Sequence, residues 1–168
     1  MLSQGEPPGR AVASTRVTIV KKYIHYGHEP FDRDLIQPIK NRQYFTKPLG
    51  GFWASPVDAP FGWKQWCERE NFARHRFGCS FTFTLSPEAK VLTISSTLDL
   101  HGLSHDGGLN LDFGMVCLDF EELLRQGYDA VELELSSDWE LYWALYGWDC
   151  DSIVILNPNV IVEVRDDN

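Results

Sequence analysis

Ser152-Ile153-Val154-Ile155-Leu156-Asn157-Pro158-Asn159-Val160-Ile161-Val162-Glu163-Val164 decides the fold class. Two β-branched runs flank an Asn-Pro-Asn turn, so they read as consecutive strands, over 152–156 and 160–164. Working back from them, 130–135 reads as a strand, as do 90–94 and 79–85. Val17, Ile19, Val20, Tyr23, Ile24 and Tyr26 make a first strand that ends at Gly27. The segment 47–56 is a turn feeding another short strand. Helices are fewer. Trp63, Trp66, Cys67 and Glu70 fall at helical spacing within 62–72. Asp119, Glu121, Glu122 and Gly127 supply the N-cap, first-turn acids and C′ glycine of a second helix. A third short helix over 139–146 is stopped by Gly147. Short strands joined mostly by turns predict an α+β domain with a mostly antiparallel sheet and flanking helices.

Residues 1–15 are rich in Pro, Gly and Ser and read as a disordered leader, which leaves 16–168 as a single domain. Hydrophobic residues at 43% and charged residues at 23% give an ordinary globular balance. Six Trp suit either a core or a ring-binding cleft. A net charge of −9 argues against general nucleic-acid binding, because such a surface repels phosphate backbones. Lys40, Arg42 and Lys47 form one local basic cluster that suits a dinucleotide. Cys67, Cys79, Cys117 and Cys150 form no CxxC pair and match no zinc spacing, so no metal site is expected. Reduced thiols and the lack of an apolar leader or an 18-residue apolar span point to a cytoplasmic protein away from the membrane.

Three segments stand out in order. They are Tyr23-Ile24-His25-Tyr26-Gly27, then Gly50-Gly51-Phe52-Trp53-Ala54-Ser55, then Asp149-Cys150-Asp151-Ser152-Ile153-Val154-Ile155. Together they resemble the three signature elements of the ADP-ribosyltransferase superfamily, in its poly(ADP-ribose)-polymerase-like and diphtheria-toxin-like branch. The resemblance spans 19–164 and implies that family's split, mostly antiparallel sheet. It also implies NAD as substrate, cleavage of the nicotinamide–ribose bond, and transfer of ADP-ribose to an unknown macromolecular or small-molecule acceptor.

Residue by residue, the resemblance implies Tyr26 or His25 on the ribose, and Gly27 on the nicotinamide amide. Trp53 matches the ring that stacks on nicotinamide, where a π-face suits a cationic pyridinium. Ser55 would assist. Asp151 matches the catalytic acid, which is Glu in most of the family, and would stabilise the oxocarbenium-like transition state. Asp149, two residues earlier, shares its face in an extended chain. Lys47 and Arg42 would meet the pyrophosphate. The alternative reading is a catalytically degenerate module that keeps the fold for interaction or ligand binding.

Overall fold

The computed structural model describes residues 20–27, 30–73, 77–105 and 114–166. The expected leader over 1–15 lies outside the described residues. Among the described residues seven strands form a sheet. They are β1 (Lys22–Tyr26), β2 (Phe52–Pro56), β3 (Ser80–Leu85), β4 (Val91–Ile94), β5 (Ala130–Leu133), β6 (Ser152–Ile155) and β7 (Ile161–Asp166). Their order is β4-β5-β6-β2-β1-β3-β7. Each pairing is antiparallel except β4–β5. The α+β class and the mostly antiparallel sheet stand as expected.

Three helices flank the sheet: α1 (Trp63–Glu70), α2 (Phe120–Arg125) and α3 (Trp139–Ala144). Each begins where a side chain satisfies a free backbone N–H. Ser55 Oγ accepts from Trp63 N–H at 2.9 Å, and Gln65 accepts from Gly62 N–H at 3.1 Å. Asp119 accepts from Glu122 N–H at 2.8 Å, and Asp138 from Glu140 N–H at 2.9 Å. α2 is followed by Gly127 at φ 84, the left-handed position that its sequence predicts.

The central strands are covered on both faces. Val131, Leu133, Val154 and Leu156 pack with Phe120, Leu123, Leu141, Leu145 and Trp148 from the helical side. Their alternate neighbours Ala130, Ile153 and Ile155 pack with Tyr23, Phe81, Phe83 and Ile161 on the other face. The period-two alternation of β6 therefore sorts residues between two cores.

β1 and β2 share two register pairs, Tyr23 with Pro56 and Ile24 with Ser55. β1 pairs with β3 along its whole length, and β2 pairs with β6 from Phe52 to Ala54. The β1–β2 seam is thus the weak join between two halves of the sheet. The cleft described below opens there. By family resemblance β1 would lie beside β6; instead β2 runs between them.

Glu132, one of two acids at spacing two within 130–135, is only 2% exposed. It is held by Lys21 Nζ and by the Tyr23 hydroxyl, the latter at 2.9 Å. A buried carboxylate needs such partners. Glu132 and Glu134 together raise the Lys21 pKa despite the opposing desolvation, and burial followed by the Glu132 charge pushes the Tyr23 phenol up. Gly50 and Gly51, in the turn that feeds β2, serve backbone packing. Both have left-handed φ, 68 and 67. A Cβ on Gly50 would stand 2.1 Å from the Pro38 carbonyl oxygen, and one on Gly51 3.0 Å from that of Ile155.

Candidate functional site

A cleft of about 290 Å³ opens along the β1–β2 seam. Three consecutive residues of β1 line it, Ile24, His25 and Tyr26, and three of β2, Trp53, Ala54 and Ser55. Consecutive residues share it because it runs along parted strand edges rather than over one face. Trp63 at the start of α1 and Trp148, Cys150 and Ser152 from the segment entering β6 complete the wall, with Lys47. Sequence reading found Tyr26, His25, Trp53, Ser55 and Lys47. It missed Trp63 and Trp148, which look like ordinary core aromatics in a Trp-rich chain.

The seam is bridged by His25. Its Nδ1 donates to the Trp53 carbonyl at 2.7 Å. A carbonyl only accepts, so Nδ1 carries the proton and Nε2 is left as an acceptor. Burial lowers the His25 pKa in spite of that hydrogen bond, so the ring is neutral near pH 7. Gly27 follows for a steric reason: a Cβ there would meet His25 Nε2 at 2.9 Å. Its N–H donates to the Cys79 carbonyl at 3.1 Å, inside the sheet. The Tyr26 ring meets Phe77 edge-on at 5.2 Å.

Trp53 packs edge-on against Trp148, with ring centroids 4.9 Å apart, and Lys47 Nζ sits 5.5 Å from the Trp53 ring centre. Trp148 in turn donates from its indole to the Thr46 carbonyl at 3.2 Å, which fastens the loop carrying Lys47. The Ser55 hydroxyl donates to the Asp151 carbonyl at 3.0 Å while accepting from Trp63 N–H. Its single proton is therefore used to tie β2 and α1 to the start of β6. Burial pushes the Cys150 thiol up to about 12, which makes it a neutral wall atom rather than a nucleophile.

The two aspartates part company. Asp151, expected to face the cleft, is 2% exposed and belongs to the opposite face. Its carboxylate accepts from Ser136 N–H at 2.9 Å and Ser136 Oγ at 2.8 Å. It lines a different cavity, with Lys21, Pro56, Asp58 and Glu134. The cause is alternation: Ser152 faces the cleft, so its neighbour cannot. Asp149 stays on the cleft side, where its carboxylate lies 3.1 Å from Lys47 Nζ. Asp149 has φ 65, and Cys150 N–H donates to the Trp148 carbonyl across it at 2.7 Å. That is a γ-turn in its strained, positive-φ form, at a non-glycine residue. Arg42 lies outside the cleft lining, because its guanidinium stacks on Phe45 at 3.6 Å.

Among the described residues no group of three or more acids, histidines and cysteines could hold a metal ion. No helix among them is long and apolar enough to cross a membrane. None of the four cysteines is in a disulfide. Compared with known proteins, the chain matches no family model, no curated protein and no solved structure.

Proposed function

We propose that this chain is an NAD-dependent ADP-ribosyltransferase-like protein whose cleft takes the nicotinamide and its ribose, with Asp149 rather than Asp151 as the working carboxylate. The observation that carries the reading is the strained turn that holds Asp149, next to the cleft-lining Cys150, against Lys47, which lines the aromatic-walled cleft. Non-glycine residues with positive φ cost about 1–3 kcal/mol and cluster at functional sites. A volume of about 290 Å³ suits one end of a dinucleotide rather than the whole.

The chemistry follows from charge. A pyridinium over Trp53 would replace the Lys47 cation that now sits there. Lys47 would turn from Asp149 to the pyrophosphate, which frees the carboxylate. Nicotinamide then leaves as a neutral molecule, taking the electron pair of the C–N bond. Positive charge develops on the ribose, and Asp149 would stabilise it before an acceptor nucleophile attacks. Of the two residues the resemblance offers for the ribose, Tyr26 or His25, His25 presents an Nε2 acceptor for a ribose hydroxyl.

The second reading is a binding module without turnover. Three observations favour it: the Gly27 N–H is taken by Cys79, the Ser55 proton by Asp151, and Asp149 is neutralised by Lys47. Calorimetric titration with NAD, alongside an assay for free nicotinamide, separates the two. Binding with release supports the transferase, binding without release supports the module, and no binding at millimolar NAD refutes both.

A further inference from the structure

Outside the cleft, the molecule carries an aromatic stripe that its core does not use. Trp139 and Trp143 stand at i and i+4 on the side of α3 away from Leu141, Tyr146 follows in the turn after the helix, and the three are 70%, 57% and 55% exposed. The Trp143 and Tyr146 rings lie within 6° of parallel, and Tyr142 packs edge-on against both. The stripe continues at both ends. Thr97 N–H donates to Asp138, which sets exposed Leu98 near the start of α3. Thr46 Oγ1 donates to the Tyr146 carbonyl at 2.5 Å, which sets exposed Phe45 near its end. Patches of this kind mark interaction sites, and Trp, Tyr and Arg are the residues that dominate binding energy at protein interfaces.

Charge identifies the occupant. Exposed Glu140 lies at one end of the stripe, and exposed Arg42, stacked on Phe45, lies at the other. A face with a carboxylate at one end, aromatic rings in the middle and a guanidinium at the other can pair with itself under a twofold rotation. We infer that this face pairs with the same face of a second copy of the chain, Arg42 of each copy meeting Glu140 of the other across the stacked Trp143 and Tyr146 rings. With Tyr44 at the loop tip, the exposed side chains offer on the order of 700 Å² per copy, close to the roughly 800 Å² per partner of a standard interface. This inference stands apart from any activity of the cleft.

Sedimentation equilibrium of the full chain from micromolar to several hundred micromolar tests it. The wild type should show a concentration-dependent dimer. Trp143→Ala, at an exposed position that folding does not need, should weaken association at least tenfold. Arg42→Glu should weaken it as well. Arg42→Glu combined with Glu140→Arg should restore it to within a few-fold of wild type, because the swap rebuilds both ion pairs. A monomer at every concentration would overturn the inference. So would a dimer indifferent to Trp143→Ala, or a double variant as weak as Arg42→Glu alone.

Discussion

Lys47 Nζ lies 3.1 Å from the Asp149 carboxylate, and the same ammonium sits 5.5 Å from the centre of the Trp53 ring. One cation thus serves a carboxylate and a π-face together at the edge of the cleft. The pair is half-buried at the rim, where solvent still screens it, so it contributes on the order of 1 kcal/mol to folding. Removal of Lys47 is therefore a clean probe of binding.

Lys47→Met should leave the melting temperature within a few degrees of wild type and weaken NAD binding about tenfold. The lost contact is a charge-assisted hydrogen bond to phosphate, worth about 1.5–3 kcal/mol before solvent screening. Isothermal titration at two salt concentrations checks it. The wild-type dissociation constant should rise with salt, and that of the variant should rise less.

Gly50→Ala should cost several kcal/mol, since the new Cβ meets the Pro38 carbonyl oxygen at 2.1 Å and the backbone is at φ 68. Urea unfolding measures the loss directly. An unchanged midpoint would mean that the 37–39 and 50–51 backbones do not cross as described.

His25 makes stability depend on pH. The imidazole titrates near 6.5 in a model peptide, and burial lowers that value in the fold. Below pH 6.5 the unfolded chain binds the proton and the native chain resists it. The contribution is therefore complete above that pH and is lost as pH falls through the folded value. His25→Asn keeps a donor for the Trp53 carbonyl and cannot titrate. Its stability should decline less than that of wild type between pH 7 and pH 5, as followed by thermal melts.

Asp151→Ala should destabilise the protein by about 1–3 kcal/mol, since the Ser136 N–H loses its acceptor in a partly buried setting. It should do so without a specific effect on ligand affinity at a temperature where the variant is folded.

Much of the fold was legible because its signals are local. The strands β6 and β7 follow from β-branched runs around Asn157-Pro158, and α2 follows from Asp119 and Gly127. The site was legible in part. Trp53, Lys47, His25 and Tyr26 line one cleft. The faces of Asp149 and Asp151 were not, because two residues at spacing two share a face in an extended chain, and here the γ-turn at Asp149 breaks that geometry just before β6. The burial of Glu132 was not legible for a related reason. Alternation places it on the same face as Ile153, but nothing local reveals that Lys21 and Tyr23 close over that face.

Nicotinamide release from NAD by wild type, Asp149→Asn and Asp151→Asn, each assayed where it is fully folded, tests the central claim most directly. If Asp149 is the carboxylate that stabilises the developing charge, Asp149→Asn should lower turnover by roughly 10² or more with little change in NAD affinity, the mark of an interaction made mainly in the transition state. Asp151→Asn should keep wild-type turnover. Loss of turnover in Asp151→Asn with Asp149→Asn unaffected would contradict the account.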